Sequence, residues 1–270
     1  MWFCAFNPHA GFGLDGWAGP RTTGYEWTRP ELWQDMAMAL ERAKFDLIML
    51  GDSLAVPGTY QGRMDAYLRD NIFAPLGMND TGFKISDSMR KRLVGMHARA
   101  PEGLGPFPFE MEQNPEFHMG GGGLYGTAAD YIKFTQMILN KGKGNGNQLL
   151  RPETVALMGE NNIGAIEVGK LPTALPAFTN DVDLFPGMVK KWGLSFLINT
   201  AQTPEGRSAG SLAWAGLANT YFWIDPARNV SGVILMHLLP FADGKCLEAF
   251  AGFERGIYAG LGAGSGQKAA

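Results

Sequence analysis

The sequence predicts an α/β protein of the α+β type, in which an antiparallel sheet late in the chain is flanked by helices. Apolar residues recur at helical spacing in several segments, and two apolar runs near the C-terminus are joined by turn residues, as in a β-hairpin. The chain holds 37 glycines and 16 prolines, which favour a loop-rich enzyme-like fold over a helical bundle. With 270 residues, 46% of them hydrophobic, it can bury one full-sized core or two small ones.

The N-terminal segment predicts a β-α-β unit. Residues 1–6 are typical of a short strand, and residues 46–50 (DLIML) of a buried one. Between them, residues 29–45 place apolar side chains on one face of a helix, with Thr28 as its N-cap and Pro30 in its first turn. By the handedness rule for such units, the two strands are predicted to be parallel neighbours.

Four helices are predicted in the middle of the chain. Ser86 is the expected cap of the second, which is short and basic, and Thr127 caps the third, which ends at Gly142. The four segments are residues 64–78, 86–98, 127–142 and 151–161.

The last third of the chain predicts the antiparallel sheet. Residues 191–198 (KWGLSFLI) are strand-like, and residues 217–238 contain two apolar runs separated by a turn at 225–229 (DPARN). Residues 246–261 form an apolar helix suited to packing on that sheet.

Composition and charge exclude several function classes. The formal net charge is -3 and lysine and arginine form no block, so we expect no nucleic-acid partner and no membrane partner. No apolar run reaches transmembrane length and the N-terminus lacks a signal-peptide pattern, so a cytoplasmic protein is expected. Cys4 and Cys246 lie far apart without metal-ligand spacing, which indicates two free thiols, with a single disulfide as the alternative, and no metal site.

Four blocks between residues 65 and 261 occur in the order and spacing of one known superfamily. The blocks are AYLRDNIFAPLGMNDTGF, GGGGLYGTAADYIKFTQMILNKG, KWGLSFLI and GSLAWAGLANTYFWIDPARNVSGVILM. In them the chain resembles the serine β-lactamases, penicillin-binding proteins and family VIII carboxylesterases. The resemblance implies a β-lactamase-like antiparallel sheet flanked by helices. It also implies a small ester or β-lactam substrate that reacts through an acyl-enzyme, without a cofactor.

The first part of the chain resembles a different family. FNPHAGFGLDGWAGPRT and LWQDMAMALERAKFDLIMLGDSLAVPG are similar to the opening of luciferase-like flavin monooxygenases, in the branch that includes nitrilotriacetate monooxygenase. Only the first strand, helix and second strand of that barrel are matched, so we expect no flavin site. The chain is therefore predicted to be a chimera of three regions. These are a monooxygenase-like segment at 1–65, a β-lactamase/esterase-like region with an incomplete helical domain at 66–261, and a disordered tail at 262–270.

The resemblance also implies what this chain lacks. The superfamily uses Ser-x-x-Lys at the start of its central helix, where the lysine acts as base for the serine, and Tyr-x-Asn a loop later. Both lie upstream of the matched region, and Tyr-x-Asn occurs nowhere in the sequence. The third element, on an edge strand, is matched by Trp214, Ala215 and Gly216, whose backbone is expected to bind substrate and help form the oxyanion hole.

Ser88 and Lys91 are the first candidates for the missing nucleophile and base, because they form a Ser-x-x-Lys (SMRK). On a helix these two positions share a face, so the lysine can reach the hydroxyl. The alternative interpretation is a solvated basic helix, since Arg90 and Arg92 flank the lysine.

Ser53 is the second candidate, because Gly-Asp-Ser-Leu at 51–54 follows a strand, as in the SGNH/GDSL hydrolases. That family also needs Asp-x-x-His, and no histidine in this chain has an aspartate three residues earlier. Without a histidine to accept its proton, a serine hydroxyl is a poor nucleophile. The alternative interpretation is a turn that ends a strand of the barrel segment.

The sequence therefore predicts a serine hydrolase of the β-lactamase-related carboxylesterase type. One alternative is a catalytically incomplete remnant that binds acyl or peptide-like ligands, and another is a GDSL-type esterase using Ser53. The foreign N-terminal unit either supplies strands to the sheet or leaves its edge open to another chain. We therefore expect a homo-oligomer, with exchanged N-terminal segments as one form of it.

Overall fold

The computed structural model describes residues 3–6, 30–42, 47–50, 64–115, 118 and 121–264. The chain forms two units, one comprising residues 1–67 and 115–123, the other residues 68–114 and 124–270. Ser88, Lys91 and the Trp-Ala-Gly stretch all belong to the second unit.

The described part of the first unit contains the predicted β-α-β arrangement. Strand β1 (Phe3–Phe6) pairs in parallel with β2 (Leu47–Leu50), and helix α1 (Pro30–Arg42) lies between them in sequence. The predicted parallel pairing is confirmed. The predicted N-cap Thr28 and the candidate nucleophile Ser53 lie outside the described residues.

Six further helices lie among the described residues from Met64 onward, and a π-helical turn (Arg69–Phe73) joins the first two of them. The helices are α2 (Met64–Leu68), α3 (Ala74–Leu76), α4 (Asp87–Arg90), α5 (Ala128–Leu139), α6 (Pro152–Met158) and α7 (Gly244–Gly264). The strands are β3 (His97–Ala100), β4 (Gly103–Pro106), β5 (Lys143–Gly144), β6 (Asn147–Gln148), β7 (Lys190–Trp192), β8 (Leu197–Asn199), β9 (Leu212–Gly216), β10 (Thr220–Asp225), β11 (Val230–Leu235) and β12 (Leu238–Leu239). Helix α7 extends to Gly264, and residues 265–270 of the predicted tail lie outside the described residues.

The principal sheet has five antiparallel strands in the order β11-β10-β9-β8-β7. Its β10–β11 hairpin is closed by Asp225, whose carboxylate accepts a hydrogen bond from the backbone N–H of Arg228, and by Asn229 at a φ of 52°. The predicted hairpin is confirmed. Gly232 lies against the indole of Trp223 so closely that a Cβ there would be 2.0 Å from the ring.

The sheet separates two hydrophobic cores, because successive side chains of a strand point to opposite faces. On one face Leu212 and Ile224 pack with Met137 and Ile138 of α5. The opposite core is built from α7, in agreement with the prediction that this helix packs on the sheet. Its fully or largely buried members are Ala213, Tyr221, Trp223, Phe250 and Tyr258.

Helix α4 is shorter than predicted. The sequence predicts a helix over 86–98, but the structure has one only over Asp87–Arg90, and residues 97–100 form strand β3. Val94 and Gly95 are poor helix formers. Pairing of β3 with β4 also gives this segment the backbone hydrogen bonds that a longer helix would have supplied.

The predicted strand over 191–198 is a tight hairpin, β7–β8. The backbone N–H of Gly193 donates to the carbonyl of Phe196 at 2.8 Å and reverses the chain. Only glycine fits at this position, because a Cβ would lie 2.0 Å from the carbonyl oxygen of Met158. The reversal adds an extra strand at the edge of the sheet.

Candidate functional site

Trp214, Ala215 and Gly216 form the C-terminal half of β9. The expectation that they lie on an edge strand is wrong, because β9 is the third of five strands. The β7–β8 hairpin lies on the side of β9 that an edge strand would leave unpaired. However, the pairing of β9 with β8 stops at Ala213, opposite Leu197, so residues 214–216 pair with β10 alone. These three residues therefore form a short local edge inside the sheet.

The backbone of Ala215 faces this local edge. The N–H of Asn199 in β8 donates to the carbonyl of Ser211 at 3.3 Å, so Ser211 faces β8. Along an antiparallel strand, every second residue directs its N–H and C=O to the same neighbour. Ala213 and Ala215 therefore face the same side as Ser211. No β8 residue pairs with Ala215 in the described register, which leaves its N–H and C=O directed at the local edge.

The β9–β10 hairpin holds this edge in place. Gly216 pairs with Thr220 across a three-residue loop, and Asn219 has the left-handed φ (54°) that the last residue of such a loop adopts. The buried side chain of Asn219 donates to the carbonyls of Leu238 and Pro240 at 2.8 and 2.7 Å. These bonds tie the loop to the chain that follows β11.

Trp214 lies next to other aromatic residues. Its indole meets that of Trp192 edge to face, with ring centroids 4.5 Å apart and planes at 88°. Across the sheet Trp214 pairs with Phe222, whose ring lies 5.3 Å from that of Tyr131 on α5. Burial raises the pKa of Tyr131 to about 12, so this phenol stays protonated at neutral pH.

A small recess also lies beside Trp214, with room for about one water molecule. Its one charged lining residue is Lys190, which is 3% exposed. The Lys190 ammonium donates to Asp183 Oδ1 at 2.8 Å and to the carbonyls of Phe185 and Met188. The full lining consists of Val168, Gly169, Leu171, Val182, Leu184, Lys190, Leu197, Trp214 and Phe241.

Ser88 and Lys91 lie on the exposed surface. The predicted cap of their helix is confirmed, since Ser86 Oγ accepts a hydrogen bond from the N–H of Met89. The hydroxyl of Ser88 lies 3.2 Å from that of Ser86. Among the described residues, Lys91 makes no hydrogen bond with Ser88, and no hydrogen bond connects α4 with β9.

The arginines beside Lys91 are engaged in ion pairs. Arg90 forms a bidentate pair with Glu110, and Arg92 donates to both carboxylate oxygens of Asp80, at 2.6 and 3.1 Å. The hydrogen bond from Arg92 lowers the pKa of Asp80. This arrangement favours the solvated basic helix. A second Ser-x-x-Lys, from Ser265 to Lys268, lies outside the described residues.

Possible metal ligands and cysteines were located in the described part of the chain. No group of three or more His, Cys, Asp or Glu side chains there could hold a metal ion. Cys246 is a buried free thiol rather than half of a disulfide, and burial raises its pKa to about 11. None of the described helices combines the length and the apolar character needed to span a bilayer.

Comparison with known proteins identifies the fold. The family described as Beta-lactamase matches residues 50–254. Protein Rv1367c of Mycobacterium tuberculosis is 28% identical over 193 residues, which are 67% of this chain and 44% of that protein. Monacolin J acid methylbutanoyltransferase of Aspergillus terreus is 25% identical over 206 residues, 73% of this chain and 49% of that enzyme.

Solved structures agree with the family match. The unliganded simvastatin synthase LovD of Aspergillus terreus superposes with a TM-score of 0.55 at 25% identity, over 73% of this chain and 49% of that one. EstCE1, a hydrolase with promiscuous acyltransferase activity, shares the fold with a TM-score of 0.52 at 18% identity, over 71% of this chain and 50% of that one. The chain thus spans about half the length of the relatives it matches. It has their antiparallel sheet flanked by helices, and it belongs to the Beta-lactamase family.

Proposed function

We propose that this chain acts on small esters or β-lactams, holding their acyl group at the local edge of β9. The observation that carries the proposal is the backbone of Ala215, which faces the edge beyond the end of β8. An N–H in that position can donate to the carbonyl oxygen of an acyl group and stabilise the negative charge that forms on it during acyl transfer. Relatives named as a methylbutanoyltransferase and an acyltransferase support acyl chemistry for this chain.

Turnover through an acyl-enzyme needs a nucleophile, and the sequence offers Ser88 with Lys91 as base. In the proposed reaction, the Ser88 oxygen bonds to the acyl carbon as its proton passes to Lys91. The ester C–O bond then breaks and the alcohol leaves with a proton, after which water cleaves the acyl-serine and restores the hydroxyl. Ser53 is the alternative nucleophile of the GDSL type.

A covalent-labelling experiment tests this proposal directly. The purified protein is incubated with a fluorophosphonate and, separately, with a penicillin. The intact mass of the protein is then measured, and the labelled peptide is mapped. If Ser88 is the nucleophile, Ser88→Ala abolishes the adduct and Lys91→Met slows its formation by about 10²-fold or more. Lys143→Met, at an equally exposed lysine, serves as the matched control and leaves the rate unchanged.

The exposure of Ser88 supports a second candidate function, which is acyl binding without turnover. In that case a protein shown to be folded by circular dichroism gives no adduct with either reagent. An adduct on Ser53 would instead support the GDSL-type esterase. An adduct that persists in Ser88→Ala, on any serine, would show that the Ser88 assignment is wrong.

A further inference from the structure

We propose that Asn145 is a site of spontaneous modification, where its side chain closes a ring with Gly146 and is converted to aspartate or isoaspartate. The inference is independent of the proposed acyl chemistry, and the reaction needs no reactant other than water. Asn145-Gly146 is the one Asn-Gly pair in the sequence. Because glycine carries no side chain to shield its backbone nitrogen, an Asn-Gly pair closes this ring more readily than asparagine followed by a larger residue.

The Asn-Gly pair forms the whole turn between strands β5 and β6. Gly144 pairs with Asn147, which leaves only two residues in the loop. Asn145 and Gly146 both have a left-handed φ, of 47° and 78°, as a two-residue Asn-Gly hairpin turn requires. Both residues are exposed. Water therefore has direct access to the reacting groups.

The reacting atoms are free to approach each other. Among the described residues, no hydrogen bond uses the backbone N–H of Gly146. A Cβ placed on Gly146 would meet no atom within 4 Å, so open space surrounds this residue. The Asn145 side chain is restrained by its Nδ2, which donates to the carbonyl of Pro75 at 3.0 Å. Since this bond lies at the exposed surface, water can replace it and release the side chain for ring closure.

The reaction replaces the side-chain amide nitrogen with oxygen. The Gly146 nitrogen loses its proton and bonds to Cγ of Asn145, while the Cγ–Nδ2 bond breaks and ammonia leaves with that proton. Water then opens the cyclic succinimide. Cleavage between the ring nitrogen and Cγ gives aspartate, whereas cleavage between the ring nitrogen and the backbone carbonyl carbon gives isoaspartate. Either product adds one negative charge to the formal net charge of -3.

Modification removes an anchor between the hairpin and helix α3. Asn145 and Asn147 both donate to the carbonyl of Pro75, at 3.0 and 2.8 Å. An ionised aspartate at position 145 cannot donate, and its negative charge repels the carbonyl oxygen. Isoaspartate also lengthens the backbone of a turn whose length fixes the register of the two strands.

The anchor matters because the hairpin packs against a hydrophobic core. Gly144 lies so close to Leu76 that a Cβ on the glycine would be 2.5 Å from the leucine side chain. Leu76 is 2% exposed and belongs to the same core as Met137 of α5. Loosening of the turn disturbs this contact. We therefore expect the modified protein to unfold at a lower urea concentration.

Peptide mapping of the full chain tests the inference. The protein is incubated at mildly alkaline pH and digested with trypsin, which releases residues 144–170 as one peptide because Pro152 blocks cleavage after Arg151. Tandem mass spectrometry then locates the modification, and isoaspartyl methyltransferase identifies isoaspartate. Most of the Asn145 should convert. Asn147 lies in the same peptide but precedes Gln148, so it serves as the matched internal control and should stay unmodified.

A synthetic peptide of residues 143–150 defines the conditions under which the unfolded segment converts fully. Retention of Asn145 in the folded protein under those conditions overturns the inference. Equal conversion of Asn145 and Asn147 would also contradict it, because the neighbouring glycine would then have no role.

Two variants test the consequence of the modification. Asn145→Gly keeps the left-handed φ without the reactive amide, so it should form no acidic species during incubation. Asn145→Asp copies the product and should unfold at a lower urea concentration than both wild type and Asn145→Gly. Equal urea midpoints for wild type and Asn145→Asp would overturn the loss of the anchor.

Discussion

Replacing Asn219 with alanine should remove a large part of the stability of this protein. Asn219 is 0% exposed, and its amide group donates to the carbonyls of Leu238 and Pro240 at 2.8 and 2.7 Å. Its Oδ1 accepts from the hydroxyl of Tyr221 at 2.7 Å and from the N–H of Asp243 at 3.3 Å. One side chain thus satisfies four polar groups around the hairpin that ends β9.

The magnitude follows from what alanine leaves unsatisfied. Three of the four bonds are short, and each lost bond leaves a buried or partly buried polar group without its partner, at a cost of about 1–1.5 kcal/mol. The left-handed φ of 54° adds about 1 kcal/mol once asparagine no longer occupies it. The expected loss is therefore about 4–6 kcal/mol, out of the roughly 5–15 kcal/mol typical of a folded domain.

Urea unfolding followed by tryptophan fluorescence measures this loss. Asn219→Gly removes the same hydrogen bonds but relieves the φ strain, so it should be about 1 kcal/mol less destabilised than Asn219→Ala. Asn229→Ala is the matched control, because Asn229 has a similar φ of 52° but is exposed. If Asn219→Ala and Asn229→Ala lose equal stability, the hydrogen-bond reasoning is refuted.

Three further outcomes are expected. Burial opposes ionisation of Asp225, but hydrogen bonds including one from Tyr258 outweigh it and lower its pKa, so its stabilisation exists above about pH 4 and is lost as pH falls. The difference between the urea midpoints of wild type and Asp225→Asn should stay constant from about pH 7 to about pH 4 and shrink below about pH 4; a difference that stays constant below pH 4 would contradict this. Gly232→Ala should destabilise by about 1–3 kcal/mol through its clash with Trp223, whereas Gly256→Ala on α7 should not destabilise. Light scattering should show a homo-oligomer, because no described strand pairs with the outer edge of β11; a constant monomer mass at all concentrations would refute it.

Features with local causes could be predicted from the sequence. Thr127 caps α5 because its hydroxyl accepts a hydrogen bond from Asp130 three residues later, a contact that spacing alone specifies. The turn at 225–229 forms because Asp225 bonds to Arg228 and Asn229 accepts a left-handed conformation. The family resemblance also located Trp214 to Gly216 on a strand of the sheet.

Features with distant causes could not be predicted. The reversal at Gly193 depends on close contact with the carbonyl of Met158, which lies 35 residues earlier (193 − 158). Without that contact, residues 191–198 have the composition of one strand. The edge position expected for Trp214 to Gly216 came from the family resemblance, which does not include this reversal. The recess beside Trp214 likewise has no motif, because its walls come from separate segments. Its clearest signal is Lys190, a lysine beside an apolar strand that only the fold shows to be neutralised by Asp183.

The acyl-binding edge and the nucleophile are separable in this protein. Three features set the geometry of Ala215: the end of β8, the pairing with β10 and the hydrogen bonds of the Asn219 side chain. All three lie within the second unit. None of these depends on Ser88, which lies on an exposed helix that makes no hydrogen bond to β9 among the described residues. A Ser88→Ala protein should therefore keep its stability and its affinity for N-methylbutanamide, an acyl compound that resists cleavage, even if it loses all covalent labelling. Loss of both together would mean that α4 contributes to the binding edge, in conflict with the register of β9.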